Sequence, residues 1–265
     1  MTIREMLSAA EADGYHEEYA EAKVCQDIVL KALSLSTLSR NATIKGGVVM
    51  RSFSRSSRRA TQDIDIDFIR YSLDDKSVMR FIEKLNCISG IAIEMTGQIE
   101  ELRQQDYHGK RIYVNISDDD GYAIKSKIDL GVHKDLNIDQ EEYCFDIACF
   151  DGGANLLINS KEQMFAEKLR SILRFGPNST RYKDIFDMCY LSRFVEKEKL
   201  HECLKTFIFD DAIMRENNTA DIVKRVKTTF ENSTYIKRLS TSRKNWLDMP
   251  IQGVTTQLLS FLEEL

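Results

Sequence analysis

Residues 63–68 read Asp-Ile-Asp-Ile-Asp-Phe, and this strict alternation of acidic and apolar side chains is the strongest constraint in the sequence. Successive side chains of a β-strand point to opposite faces, so Asp63, Asp65 and Asp67 share one face and their apolar neighbours the other. Like charges two residues apart repel, and aspartate is a poor strand former. The acidic face therefore predicts bound cations, a solvated edge strand, or an acidic loop that takes up calcium adventitiously.

Carboxylate oxygens are the ligands that Mg²⁺ prefers, together with water and substrate phosphates. Two such ions, about 3.5–4 Å apart, activate an attacking hydroxyl and stabilise a leaving pyrophosphate. We therefore predict Asp63, Asp65 and Asp67 as metal ligands, with Mg²⁺ or alternatively Mn²⁺ as the ion.

A glycine pair, Gly46 and Gly47, follows an apolar run that ends at Lys45. Glycine lets the backbone approach a phosphate closely, and free N–H groups at the start of a following helix attract the anion. No Gly-Lys-Ser/Thr follows, so this is not a Walker A loop. The order strand, glycine turn, short helix and aspartate strand predicts a phosphate cradle beside metal ligands, although an ordinary tight turn also explains the glycines.

A third acid is expected on a neighbouring strand, and Asp129 is the candidate. It alternates with apolar residues and shares its predicted face with Lys125 and Lys127. A surface charge on an exposed hairpin is the alternative. Asp106 and the acidic run at 118–120 fall in predicted turns, where we expect solvated side chains.

The pattern predicts helices over residues 17–38 and 74–85, and alternating strands around Ile93, Val114 and Ile128. Turn residues between these strands favour antiparallel hairpins. A fourth strand is predicted at 143–150.

Helices are predicted after Ser160, which forms a capping box with Gln163. Thr180 is predicted to cap a second helix that ends at Leu191, and residues 251–265 form a last helix. The expected fold class is α+β, with an α/β domain at 1–155 that includes the N-terminal helix, and a helical domain at 156–265.

Targeting and redox signals are sparse. The N-terminus lacks the apolar core of a signal peptide, and no apolar stretch is long enough to span a membrane, so no membrane association is expected. The six cysteines form no C-x-x-C pair and are interpreted as reduced thiols of a cytoplasmic protein. The net charge of −5 argues against a nucleic-acid-coating protein but allows a local basic patch.

Two blocks of the chain carry a resemblance to a known family. The first is Lys-Gly-Gly-Val-Val-Met at 45–50 with Arg-Ala-Thr-Gln-Asp-Ile-Asp-Ile at 59–66, and the second is Ala-Glu-Lys-Leu at 166–169 with Arg-Tyr-Lys-Asp-Ile-Phe-Asp-Met at 181–188. Together they resemble the signature of the AbiEii/AbiGii-type nucleotidyltransferase toxins, in the DNA polymerase β-like nucleotidyltransferase superfamily. The resemblance implies a nucleotidyltransferase-type mixed sheet with helices, followed by a helical region.

In the first block, the resemblance implies that the glycine pair shapes a nucleotide turn and that Asp63 and Asp65 are the paired metal ligands. Arg59 and Thr61 set this register and join Lys45 as nucleotide-binding candidates. The alternative register, Asp65 with Asp67, stays open. Val48 departs from the family, which often has a small hydroxyl residue there.

In the second block, Lys168 matches the family's helix lysine, which suits a triphosphate, and Asp184 matches its downstream aspartate. Without the resemblance, Lys168 is interpreted as a surface cation, and Asp184 as a partner of Arg181. The arginines at 51–59 are candidates for phosphate contacts, with a solvated loop as the alternative.

The implied reaction is transfer of a nucleoside monophosphate from an NTP to an acceptor hydroxyl of RNA, in particular tRNA, or of a protein. Asp129 or Asp184 serves as general base. The resemblance further implies a toxin of a toxin–antitoxin or abortive-infection system with a cognate antitoxin. The alternatives are a non-catalytic nucleotide-binding regulator and an antibiotic-modifying nucleotidyltransferase.

Overall fold

The computed structural model describes residues 2–102, 109–133 and 140–265, so the turn predicted at Asp106 lies outside the described residues. The chain divides into two compact units, Met1–Asn159 and Ser160–Leu265, called unit 1 and unit 2 below. The boundary predicted after residue 155 would fall inside a strand of unit 1, because that strand spans Ala154–Ile158.

Unit 1 combines one sheet with four helices in its described part. The helices are α1 (Ile3–Ala12), α2 (Glu18–Leu35), α3 (Gly46–Ser54) and α4 (Asp75–Leu85). The strands are β1 (Ala42–Lys45), β2 (Ile64–Phe68), β3 (Ile91–Leu102), β4 (Gly109–Asp118), β5 (Ala123–Val132), β6 (Glu141–Phe145) and β7 (Ala154–Ile158).

The seven strands form one mixed sheet in the order β3-β4-β5-β2-β1-β7-β6. The pairs β3–β4 and β4–β5 are antiparallel, which confirms the predicted hairpins. The pairs β2–β5 and β1–β7 are parallel, and β1–β2 is antiparallel. The α+β class and the mixed sheet are therefore confirmed.

The alternation that predicted β2 is the reason for its position in the sheet. Ile64, Ile66 and Phe68 are completely buried, and Ile64 and Ile66 pair with Ile128 and Leu130 of β5. Burial of each such side chain contributes on the order of 1.5–3 kcal/mol. The core therefore holds one face of β2, and the aspartates occupy the other.

The strand predicted at 143–150 is displaced in the structure. The observed strand β6 begins at Glu141 and ends at Phe145, and it pairs antiparallel with β7. The following residues turn, and Cys149 has a left-handed backbone conformation with φ of 73°. Such a conformation interrupts a strand at a non-glycine residue.

Unit 2 contains only helical elements, as predicted for the chain after Ser160. Its α-helices are α5 (Lys161–Phe175), α6 (Tyr182–Leu191), α7 (Lys197–Leu204), α8 (Thr219–Glu231), α9 (Ser233–Thr241) and α10 (Ile251–Glu263). No helix in the described part of the chain has the length and apolarity needed to cross a bilayer.

The two predicted helix caps of unit 2 have different outcomes. The Ser160 hydroxyl accepts a hydrogen bond from the Gln163 backbone N–H at 3.1 Å, but the Gln163 side chain donates to Glu167, so only half of the capping box forms. The prediction for Thr180 is wrong. Helix α6 begins at Tyr182 with Arg181 as its N-cap, which leaves Thr180 one residue too early.

Candidate active site

Strand register brings four charged side chains into one row on the polar face of the sheet. Lys45 of β1 lies opposite Asp65 of β2, and Asp65 lies opposite Asp129 of β5. Asp129 in turn lies opposite Arg111 of β4. The third acid predicted from the sequence is thus the immediate cross-strand neighbour of the central aspartate.

Arg111 binds Asp129 with both arms of its guanidinium. Its Nε donates to Oδ1 at 2.7 Å and its Nη2 donates to Oδ2 at 2.8 Å. Such bidentate pairs are the strongest charge-assisted hydrogen bonds of side chains, and they fix the plane of the carboxylate. The sequence analysis missed Arg111, although it alternates with the buried Ile112 and therefore belongs to the polar face of β4.

The two outer aspartates of β2 also have cationic partners. Lys45 Nζ lies 2.6 Å from Asp67 Oδ2, and Lys127 Nζ lies 2.8 Å from Asp63 Oδ1. Asp67 is 4% exposed, and its Oδ1 is buried with no hydrogen-bond partner in the described residues. A buried, unpaired carboxylate oxygen is costly, and a cation would relieve that cost.

Asp65 is the electrostatic centre of the row. Burial raises the pKa of its carboxyl to about 6, and the negative charges of Asp129, Asp63 and Asp67 add to this rise, while Lys45 opposes it. Part of the residue's surface remains exposed, but protein surrounds the carboxyl itself. Like charges that crowd one group disfavour its ionised form, and a nearby positive charge restores it.

The glycine turn packs directly against this row. Gly46 has a φ of +65°, and a Cβ there would clash with Asp65 Oδ2. A Cβ on Gly47 would lie 2.7 Å from the Cβ of Thr61, whose backbone carbonyl accepts a hydrogen bond from Gln26. Both positions therefore require glycine, because Asp65 and Thr61 occupy the space of a side chain.

Helix α3 begins at this turn with no side chain capping its first N–H groups. Such groups form a site for anions, since the helix dipole adds to their positive charge. Val48 is completely buried, so its side chain faces the core. Anion binding here would therefore depend on the backbone rather than on a side chain at position 48.

Two arginines predicted as phosphate contacts are buried in unit 1. Arg51 is 4% exposed and lies 3.7 Å from Asp27 of α2, so the prediction of a phosphate contact is wrong for this residue. Arg59 is also buried, in a short 3₁₀ turn at 57–59. Arg55 and Arg58 are exposed.

The donor set matches a hard divalent cation, but the side chains do not form a closed metal site. In the ranges that the structure describes, no group of three or more Asp, Glu, His or Cys side chains is arranged to hold a metal ion. Three of the carboxylates instead form ion pairs with cationic side chains, namely Asp129 with Arg111, Asp63 with Lys127 and Asp67 with Lys45. The fit therefore rests on the carboxylate donor set and on the crowding of Asp65 by the charges of Asp129, Asp63 and Asp67.

A pocket of about 270 Å³ opens beside Asp63, on the side of α2 and β5. It is lined by Glu18, Glu21, Ala22, Gln62, Tyr113, Lys125, Ser126 and Lys127. Lys127 links it to the carboxylate row through its ion pair with Asp63. This volume lies just below the usual range of small-molecule pockets, about 300–1,000 Å³.

The second predicted block forms a buried ionic cluster within unit 2. Lys168 Nζ lies 2.9 Å from both Asp184 Oδ1 and Asp187 Oδ2. The Trp246 indole donates to Asp187 at 3.0 Å, and Arg181 binds Asp184 at 2.7 Å. The predicted Arg181–Asp184 pair is confirmed, whereas the interpretation of Lys168 as a surface cation is wrong because the residue is buried.

The predicted residues thus fall into two groups. All those of the first block lie in unit 1, around the row formed by Asp65 and Asp129. Lys168 and Asp184 lie in unit 2. The sequence analysis did not single out Tyr113 or Arg111, whose only signal is their place on the polar side of an alternating strand.

Paired aspartates on one strand, an acid on the adjacent parallel strand and a glycine turn that opens a helix are the elements of a nucleotidyltransferase site. A family model described as "Nucleotidyl transferase AbiEii toxin, Type IV TA system" matches residues 28–249. The chain therefore belongs to the AbiEii family of nucleotidyltransferase toxins, and this membership implies a cognate antitoxin.

A solved structure with a similar fold is an antigenic nucleotidyltransferase-like protein from Paracoccidioides brasiliensis. The identity is 14% and the TM-score 0.49, and the alignment covers 83% of this chain and 91% of the other. A search among curated proteins found no match.

Proposed function

We propose that this nucleotidyltransferase moves a nucleoside monophosphate from an NTP to an acceptor hydroxyl in a reaction that requires Mg²⁺. The acceptor oxygen forms a bond to the α-phosphorus, the bond from that phosphorus to the bridging oxygen breaks, and pyrophosphate leaves with the electron pair. The observation that carries the proposal is the Asp65–Asp129 register next to Gly46.

Asp63 and Asp65 would hold the metal, which when bound supplies positive charge to the transferred phosphoryl group and the leaving group. Asp65 contacts the glycine turn and pairs with Asp129, whereas Asp67 is bound by Lys45 and lies opposite Gly131. This placement supports the 63/65 register over the 65/67 register.

The N–H groups of Gly46 and Gly47 would bind the triphosphate at the start of α3. Lys45, adjacent to this turn, would bind a phosphate oxygen when it exchanges Asp67 for the substrate. The nucleotide-binding roles of Arg59 and Thr61 remain predictions. Thr61 supports the turn by packing against Gly47.

Asp129 would accept the proton of the attacking hydroxyl. It belongs to the same unit as Asp63 and Asp65 and neighbours Asp65 directly, whereas Lys168 and Arg181 bind Asp184 in unit 2. The acceptor would approach through the pocket beside Asp63. The acceptor's identity and the cytoplasmic location remain predictions from the sequence.

The test is transfer of label from each α-³²P-NTP to total RNA and to protein. Removing one metal ligand is expected to cost several kcal/mol of transition-state stabilisation, about 10²-fold or more in rate. Asp63→Asn and Asp65→Asn should show this loss, and Asp67→Asn a smaller one. Asp120→Asn, in an exposed turn, is the matched control and should retain the parent rate.

Metal binding needs a readout besides activity. Titration with Mn²⁺ followed by electron paramagnetic resonance should show binding to the parent protein and to Asp120→Asn, and weakened binding to Asp65→Asn. NTP binding without transfer to any acceptor would contradict the proposal and identify a nucleotide-binding regulator. Transfer only to a small molecule would identify an antibiotic-modifying type of enzyme.

A further inference from the structure

Helix α2 has two polar side chains in adjacent positions in the interior of unit 1. Gln26 is completely buried, and Asp27 is 4% exposed. Burial of an amide or a carboxylate costs free energy unless the group finds a partner, so each of these side chains needs a contact that offsets the cost. Gln26 contacts the segment that packs against the start of α3, and Asp27 contacts the last turn of α3.

Gln26 holds the segment that packs against the glycine turn. Its Nε2 donates to the backbone carbonyl of Thr61 at 2.8 Å. Its Oε1 is buried and accepts no hydrogen bond from a described residue, so within the described ranges this donation is the amide's single hydrogen bond. Thr61 fills the space over Gly47, where a Cβ would lie 2.5 Å from the Thr61 hydroxyl oxygen. Gln26 therefore acts on the glycine turn through Thr61.

Asp27 holds the opposite end of α3. Arg51, in the last turn of that helix, is 4% exposed, and its guanidinium lies 3.7 Å from the Asp27 carboxylate. Lys23 also pairs with Asp27, and the centre of the Tyr15 ring lies 6.0 Å from the Arg51 guanidinium. A shift of this end would leave a buried charge without its partner, which is costly. The C-terminal end of α3 is therefore fixed.

The N-terminal end of α3 depends on its neighbours. No side chain caps its first N–H groups, and Gly46 and Gly47 have no side chains that could anchor them. The proposed phosphate site consists of these N–H groups, so its geometry depends on the position of Thr61. Groups that bind a substrate must be held within about 0.5 Å of the productive position by the residues behind them. Gln26 is the residue behind Thr61.

We propose that Gln26 is a positioning residue for nucleotide binding, which holds Thr61 against the glycine turn and so places the N–H groups of α3 for a triphosphate. This inference rests on the proposed function. Gln26 is completely buried and does not touch the substrate itself. Its loss should weaken the binding of all four NTPs to the same extent, because the phosphates are common to them.

The test is isothermal titration calorimetry of the full chain with each of the four NTPs in Mg²⁺. The variant is Gln26→Met, which keeps the length of the side chain and removes the donor. The Kd for every NTP should rise about tenfold, comparable with the loss of one hydrogen bond to a charged group. In the transfer assay the KM for the NTP should rise similarly and kcat should stay within about threefold, since the lost interaction contributes equally to substrate and transition-state binding.

The matched control is Ile28→Val, a change at another completely buried residue of α2. It removes a methyl group from the same helix but no hydrogen bond, so its NTP affinity should stay within about twofold of the parent. Urea unfolding should show Gln26→Met close to the parent, because methionine also removes an unpaired buried acceptor. Gln26→Leu replaces this variant if it does not fold. An equal loss of affinity in the control, or none in Gln26→Met, would overturn the inference and leave the proposed function intact.

A double-mutant cycle tests the route through Thr61. Thr61→Ala removes the side chain that packs over Gly47. Gln26→Met/Thr61→Ala should raise the Kd by less than the product of the two single effects, because both changes disturb one contact. Independent effects that multiply would overturn this route.

Metal binding separates the glycine turn from the aspartates. Mn²⁺ alone, followed by electron paramagnetic resonance, should bind to Gln26→Met as it binds to the parent. Equal weakening of Mn²⁺ and NTP binding would mean that Gln26 acts through the aspartates of β2, and would overturn the inference. A parent chain that binds Mn²⁺ but no NTP would refute the proposed function and, with it, the role of Gln26.

Discussion

The Asp65 carboxyl has a pKa of about 6, and the rest of the fold keeps it at a buried position where its ionised form is unfavourable. Burial and three neighbouring acids destabilise the ionised form of Asp65, and Lys45 offsets only part of that destabilisation. The structure tolerates this cost because Ile64 and Ile66, on either side, are completely buried and anchor the strand. A carboxyl group with a pKa shifted in this way is typical of functional sites.

The stability of the metal-free protein should depend on Asp65 and on pH. Its folded pKa of about 6 lies above the ordinary value of 3.8, so the folded chain retains a proton that the unfolded chain releases between these values. Stability should therefore fall as pH rises from about 4 to 6, by at most about 3 kcal/mol. In chelator, Asp65→Asn should have a higher melting temperature than the parent at pH 7.5.

This advantage of Asp65→Asn should disappear below about pH 3, where the parent carboxyl is protonated in both the folded and the unfolded state. Melting curves of both proteins across that range provide the measurement. A mutant that is less stable than the parent at pH 7.5 would show that Asp65 is not strained in the folded protein.

Gly46→Ala should destabilise the protein more than an equivalent change at another left-handed glycine. Gly46 combines φ of +65° with a clash against Asp65, whereas Gly121 has φ of +79° and open space, with no atom within 4 Å of the position that a Cβ would take. The left-handed conformation alone costs about 1–2 kcal/mol for alanine. Gly121→Ala should show this cost in urea unfolding, and Gly46→Ala a larger one together with weaker NTP binding.

At the scale of elements, the site depends on pairing between segments that are distant in the chain. Strand β2 pairs parallel with β5, so a slip of one residue would turn Asp129 away from Asp65 and expose the apolar side chains of β5. The alternation of each strand predicted its faces, because side-chain direction is local. The chemistry of a metal site predicted that Asp129 lies on a strand next to β2. The parallel direction of β2–β5 and the pairing of β1 with β7 were not predictable, because these pairs join segments separated by hairpins and helices.

The residues that the sequence analysis misjudged show the same limit. Arg51 follows the glycine turn as a phosphate-binding arginine would, but α2 supplies Asp27 as its partner. Arg111 has no motif of its own and becomes relevant only when β4 pairs with β5. Thr180 has the right chemistry for a cap, but the helix starts two residues later, at Tyr182. Each outcome depends on a tertiary contact or on a boundary that local patterns do not define.

Lys168→Met should destabilise unit 2 strongly. Lys168 bridges α5 and α6 by binding Asp184 and Asp187, and Asp187 is completely buried. Removing the cation leaves buried negative charge without compensation, which costs about 3–5 kcal/mol. Asp187→Asn in the Lys168→Met background should recover part of the loss in urea unfolding. An exposed-lysine control, Lys205→Met, should unfold like the parent.

An unchanged midpoint for Lys168→Met would mean that this lysine contributes nothing to the fold of α5 and α6. The implied contact with a triphosphate would then be the better account of its position in the second block.

At the scale of the whole molecule, net charge conceals an uneven distribution. Residues 1–159 contain 19 Lys and Arg against 27 Asp and Glu, whereas residues 160–265 contain 18 against 15. The overall −5 therefore says little about nucleic acid, since the acidic excess belongs to the unit with the carboxylate row. The sequence alone left a basic patch possible, and in the structure the cations Lys224, Lys227, Lys237 and Arg238 of α8 and α9 are exposed.

The parallel register of β2 and β5 also governs when the protein acquires its site. During translation Asp63 and Asp65 leave the ribosome about sixty residues ahead of Asp129. The strands β1 and β7 are separated by an even longer stretch of chain, so their pairing forms later still. A nascent chain interrupted between these points has the glycine turn but lacks its third acid. A chain that ends between these points therefore lacks the complete row of carboxylates on which the proposed reaction depends.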